Sequence, residues 1–302
     1  MQKLLSAPPY TIESLNVFIY DFFKGIFSVA PVLGISLKVF MIIDFHAHIY
    51  PDKIAEKATA AIKAFYDIKQ SLPGNSEELI RRGSKISVVK YIVHSCATKV
   101  NQVIPINDYL INEINAHKEF VGFGTIQKGF EAFEAEIKRI RAAGMRGIKI
   151  HPDFQQFQAD DSWMDDVYEV IAAEKMPVLF HAGDIRYDFS GPVRIAHVLQ
   201  KHPTLDVVAA HFGGYTEWDA SYEYLAGKRV WFDTSSSLWK LPLSEAKKIM
   251  KKHGVEKMLF GSDFPMWDPE EELERFDTLG LTGDERDMVL YKNALELLKK
   301  NE

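Results

Sequence analysis

The stretch Met41-Ile42-Ile43-Asp44-Phe45-His46-Ala47-His48 decides how the chain is read. It is a short apolar run that ends in His-x-His. On a β-strand alternate side chains share a face, so Asp44, His46 and His48 point the same way. Two imidazoles side by side at a strand end are a metal-ligand geometry. The rest of the chain repeats the arrangement, an apolar strand with a polar group at its C-terminal end.

After His48, the apolar stripe Ile54, Ala58, Ala61, Ile62 and Phe65 predicts a helix over 54–68. A turn-rich break at 71–76 follows, and Ser76 is expected to cap a short helix through Arg82. Further strands are expected at 86–93, 120–126, 147–151, 177–181, 205–210, 230–233 and 257–263. Helices separate them, at 103–117, 130–142, 162–174, 193–200, 216–225 and 243–253, and a helical tail runs over 270–300. Eight strands alternating with helices describe a (β/α)8 TIM barrel, an α/β fold. The strands are near-continuous apolar runs, as strands buried on both faces should be. A doubly wound open sheet is the alternative, and no Gly-x-Gly-x-x-Gly follows the first strand to support it. Residues 1–40 lie ahead of the first strand and are expected to form an extension outside the catalytic domain, which spans 41–302. The apolar part of the extension, 25–37, is shorter than the ~20 residues of a spanning helix, so no stable membrane insertion is expected.

The formal net charge of −6 leaves no basic excess to neutralise phosphates, which argues against nucleic acid as the main partner. A small-molecule substrate is the expected partner. One cysteine, Cys96, excludes an intrachain disulfide and is in keeping with a reducing, cytoplasmic setting.

Barrel enzymes carry their active-site groups at the C-terminal ends of the strands. Six of the ten histidines fall there: His46, His48, His94, His151, His181 and His211. Lys149, Asp233 and Asp263 occupy similar positions. Two imidazoles from strand one, a third from strand five and a carboxylate make a three-nitrogen, one-oxygen site. That donor set suits one divalent metal, zinc (Zn2+) first, with Mn2+, Fe2+ or Co2+ also accommodated.

His-Ala-His at 46–48, Gly-Ile-Lys-Ile-His-Pro at 147–152, Leu-Phe-His-Ala-Gly at 179–183, Ala-His-Phe-Gly-Gly at 210–214 and Leu-Phe-Gly-Ser-Asp-Phe-Pro at 259–265 occur in that order. With these motifs the chain, from Met41 onward, resembles the amidohydrolase-related family. That is the branch of the amidohydrolase superfamily which includes aminocarboxymuconate-semialdehyde decarboxylase. The resemblance implies that His46, His48, His181 and Asp263 are metal ligands. It also implies that His211 acts beside them as acid/base or carbonyl polariser, with Asp263 as the second catalytic group. Lys149 reads either as an ordinary buried lysine or as a carbamate bridging a second metal. His151 is a substrate contact or a satisfied polar residue, and His94 a plain strand-end histidine. Arg186 binds a substrate carboxylate or sits solvated on the surface, and Asp233 orients a histidine ligand. Phe264, Met266 and Trp267 could wall the pocket. A metal-dependent hydrolase of amide, ester or lactone carbonyls is the first functional expectation. A non-oxidative decarboxylase (a carboxy-lyase) of an aromatic or muconate-like acid is the second. The resemblance is compatible with a homodimer, although no sequence pattern shows one.

Overall fold

The computed structural model describes residues 41–68 and 72–300. The expectation for residues 1–40 lies outside them. Eight strands are hydrogen-bonded in sequence order, each parallel to the next. They are β1 (Ile42–His48), β2 (Val88–His94), β3 (Phe120–Thr125), β4 (Gly147–Ile150), β5 (Val178–Phe180), β6 (Val207–Ala209), β7 (Trp231–Asp233) and β8 (Met258–Leu259). Backbone bonds from β1 to the segment after β8 close the ring: Phe45 N–H to Phe260 O at 2.8 Å, His48 N–H to Phe264 O at 2.7 Å, and Asp263 N–H to His46 O at 2.8 Å. The fold is a TIM barrel, as the strand–helix alternation predicts. All seven residues of β1 are buried, polar ones included. No helix among the described residues is long and apolar enough to cross a membrane.

Three local expectations need correction. The short helix Ser76–Gly83 is capped by Asn75, whose side chain accepts from Glu78 N–H at 3.0 Å; Ser76 is instead the first helical residue. His151 is not the last strand residue but the N-cap of the one-turn helix Pro152–Gln155, because Pro152 fits a first helical turn. The helix expected over 216–225 is split into Trp218–Ala220 and a π-turn at Ser221–Leu225.

Helix α1 (Asp52–Tyr66) follows β1 and carries the greatest consequence for the site. Its buried residues are Ala55 and Thr59. The stripe Ile54, Ala58, Ala61, Ile62 and Phe65 does not pack into the barrel; it lines an open cleft that also reaches His48 and Cys96. An apolar face left beside a cavity rather than a core points to ligand contact.

Candidate active site

The polar strand ends meet above the barrel. Asp263 Oδ1 lies 3.3 Å from His46 Nε2 and 3.3 Å from His48 Nε2. Lys149 Nζ lies 3.2 Å from His46 Nε2. His181 Nδ1 and His211 Nε2 face each other at 3.0 Å, and the His46 and His211 rings are 5.0 Å apart. His46, His48, Lys149, His181 and His211 are buried, and the Asp263 side chain is 13% exposed.

Backbone geometry aims these groups. His211 and Asp263 have φ of 61° and 59°, left-handed values that cost a non-glycine residue on the order of 1 kcal/mol or more. They turn the chain back at the ends of β6 and β8. Gly261 allows a close approach there, since a Cβ at that position would lie 2.8 Å from His46 Cβ.

A buried carboxylate sets the ring tautomers. Asp233 Oδ2 accepts from His46 Nδ1 at 2.8 Å, so the proton sits on Nδ1 and the Nε2 lone pair faces the cluster. Asp233 Oδ1 accepts from His211 N–H at 3.0 Å and from Ser235 N–H at 3.1 Å. Asp233 thus orients a histidine, as its position predicts. His211 Nδ1 donates to the Ser235 carbonyl at 3.1 Å, which leaves its own Nε2 lone pair inward. On the opposite side Asp44 joins β1 to the end of β8 by accepting from Ser262 N–H at 2.9 Å and from Ser262 Oγ. Burial pushes the Asp44 carboxyl up to about 7.

Burial holds His46, His48, His94, His151 and His181 below the usual histidine range, so they are neutral rings with free lone pairs. It lowers Lys149 as well. Burial works against a charge on Asp263, but the imidazoles of His46, His48 and His211 outweigh it and hold this carboxyl well below the usual carboxylate range. Neutral imidazoles around an ionised carboxylate are the protonation state a divalent cation requires. His94 adds an independent sign. It is fully buried, packs edge-on against His48 at 4.3 Å, and neither ring nitrogen has a hydrogen-bond partner. Buried polar groups are seldom left so. His46, His48 and His94 have ligand atoms within 4.8 Å of one another, as do His46, His211 and Asp233, and His151, Asp153 and His181. The donor set fits a metal ion.

A narrow cavity, about 20 Å³ for the centre of a water-sized probe, opens onto the cluster, with His48, His151, His181, His211 and Asp263 in its wall. Tyr66, Phe154, Tyr215, Trp239, Met266 and Trp267 supply aromatic and thioether sides. Phe264 is fully buried and is not among the lining residues. His151 stacks between Phe154 (3.8 Å) and His181 (4.0 Å). Arg186 is not free for a substrate carboxylate. Its guanidinium forks onto Asp184, two residues earlier, at 2.9 and 2.6 Å, and donates to the Phe65 carbonyl at 2.6 Å. Tyr66, which sequence periodicity did not single out, stands in the cavity wall with its hydroxyl 3.0 Å from His151 Nε2 and 3.3 Å from His181 Nε2.

A family model described as amidohydrolase matches residues 43–300, and the chain belongs to the amidohydrolase family of enzymes. No curated protein matches it. Among solved structures it is similar to an uncharacterised TIM-barrel protein from Bordetella bronchiseptica, with 18% identity over 87% of this chain and 99% of the other, TM-score 0.70. A 2-pyrone-4,6-dicarboxylic acid hydrolase, so named provisionally, from Pseudomonas putida has 17% identity over 86% and 97%, TM-score 0.63. A dihydroxybenzoic acid decarboxylase from Polaromonas, with bound manganese and the inhibitor 2-nitroresorcinol, has 14% identity over 86% and 97%, TM-score 0.67. At these identities the likeness is one of fold.

Proposed function

We propose that the protein is a metal-dependent hydrolase acting on an amide, ester or lactone carbonyl of a small acidic substrate. In this reading His46, His48, His181 and Asp263 hold one divalent ion, zinc first, with manganese the ion of one structural neighbour. The observation that carries it is the contact of one carboxylate oxygen, Asp263 Oδ1, with both His-x-His Nε2 atoms at 3.3 Å. When bound, such an ion polarises a carbonyl oxygen and lowers the pKa of water.

The chain's own groups do the rest. Asp263 is ionised and is the proton acceptor for an attacking water. Ser236 donates its hydroxyl to Asp263 Oδ2, and Trp267 Nε1 donates to Ser236 Oγ at 2.9 Å, which fixes the carboxylate plane. His211 presents the Nε2 lone pair; once it takes a proton there it can donate to an oxyanion or a leaving group. Asp233 holds the proton of His46 at Nδ1 throughout. The aromatic walls limit bulk water at the centre and offer flat faces against which a substrate ring can pack.

A decarboxylase would need an acid to deliver a proton to carbon. Asp263, held ionised, is the base that hydrolysis needs rather than such an acid, which favours hydrolysis. The aromatic walls are the feature that favours the carboxy-lyase reading. Zinc-loaded protein given a panel of lactones, esters and amides of cyclic acids, beside carboxylated phenols, separates the two. Acid release that Asp263→Asn abolishes supports the hydrolase, and carbon dioxide release without hydrolysis would refute it.

A further inference from the structure

We propose that Tyr66 is a substrate-binding residue whose hydroxyl donates to a carboxylate oxygen of the ligand, and that it is free to do so only when His181 is engaged through Nδ1. This rests on the metal site proposed above.

His151 Nδ1 accepts from Phe154 N–H at 3.3 Å, so the proton of the neutral ring is on Nε2. From there it donates to the Tyr66 oxygen at 3.0 Å. His211 keeps its proton on Nδ1, beside the Ser235 carbonyl, a group that can only accept. Its Nε2 therefore accepts, and without a metal the His181 proton lies on Nδ1, directed at His211 Nε2 at 3.0 Å. His181 Nε2 is then a lone pair, and the Tyr66 hydroxyl donates to it at 3.3 Å. Tyr66 is satisfied inside the protein.

Engaging His181 at Nδ1 moves its proton to Nε2. The Tyr66 oxygen then accepts from two imidazoles, and both of its lone pairs are used. Among the described residues these two rings are the hydrogen-bond partners of that hydroxyl. Its O–H is left without an acceptor in the protein and faces the cavity that Tyr66 lines. A hydroxyl beside a cavity, with only its proton to offer, takes an acceptor-only group, and a carboxylate is the strongest such partner among small organic substrates. The donor is also held still. Arg186 ties the end of α1 to the loop after β5 through the Phe65 carbonyl and Asp184. Its guanidinium covers the Phe65 ring at 4.7 Å and the Tyr66 ring at 5.3 Å.

The test is the affinity of isophthalate, an aromatic dicarboxylate, for wild type and Tyr66→Phe, each zinc-loaded and metal-free, by titration calorimetry with zinc content measured alongside. The expected result is equal zinc content, a roughly 10- to 100-fold loss of affinity in zinc-loaded Tyr66→Phe, as for one hydrogen bond to a charged group, and almost no loss in the metal-free pair. Equal losses with and without zinc would make Tyr66 a packing surface and overturn the proposal. So would no loss in the loaded protein, zinc missing from the variant alone, or no isophthalate binding to loaded wild type. Failure of wild type to take zinc would instead overturn the metal site itself, and this proposal with it.

Discussion

Replacing Asp233 by asparagine tests whether the ring tautomers are imposed from behind the site. Asp233 is fully buried, and its Oδ2 accepts the His46 Nδ1 proton at 2.8 Å. In Asp233→Asn, Oδ1 can keep its bonds from His211 N–H, Ser235 N–H and Ser235 Oγ. That places the amide NH2 against His46 Nδ1, where two donors would meet. His46 relieves the clash by moving its proton to Nε2, which removes a lone pair from the metal cluster. Losing such a supporting hydrogen bond costs about 10- to 100-fold in metal affinity, or roughly 1.4–2.8 kcal/mol. The loss of one charge-assisted bond destabilises the metal-free fold by about 1.5–3 kcal/mol, seen as a melting temperature lower by roughly 2–4 °C per kcal/mol for a domain of this size. Zinc titration by calorimetry and thermal melting of metal-free protein read the two effects separately. Wild-type zinc affinity in a folded Asp233→Asn protein would refute the reasoning.

Gly261→Ala places a methyl 2.8 Å from His46 Cβ and 3.3 Å from Ser235 Cβ. It should cost about 1–3 kcal/mol by overpacking and weaken zinc binding without touching the ion; a denaturant melt and zinc titration unchanged from wild type would show that the segment after β8 does not press on His46. His253 stacks on Phe232 at 3.9 Å, and burial lowers its pKa from 6.5 to about 4. The unfolded chain therefore takes up a proton that the native ring refuses. Its contribution is fully present above pH 6.5 and is lost as pH falls towards 4, by on the order of 3 kcal/mol. Melts of wild type and His253→Asn across that window should converge at low pH, and parallel curves would count against the linkage.

The fold was legible because seven of the eight expected strands are apolar runs closed by a polar residue, and a barrel is what brings such ends together. His46, His48, His181, His211 and Asp263 sit at or just beyond such ends, and the family resemblance, not the strand pattern, is what gave them roles. Tyr66 was not. The stripe of α1 reads as a core face, yet Ile54 is 45% exposed and the buried positions are Ala55 and Thr59; periodicity reports that a helix has an apolar side without reporting what covers it. The one available signal was the Phe65-Tyr66 pair at the end of the helix that follows His-x-His. Arg186 misled for another reason. Its partner Asp184 lies two residues away, but whether a loop arginine turns to its neighbour or to a ligand depends on the chain bringing Phe65 to it. The unpartnered nitrogens of His94 could not be seen in a sequence at all, since strand-end position says nothing of hydrogen bonds.

Zinc and manganese content per chain, by elemental mass spectrometry, for wild type and His181→Ala purified without chelator and then reconstituted, tests the four-ligand metal site itself. That site requires one equivalent of divalent metal in wild type and a large loss in a His181→Ala protein that remains folded. No metal in reconstituted wild type, or wild-type stoichiometry and affinity in His181→Ala, would contradict it.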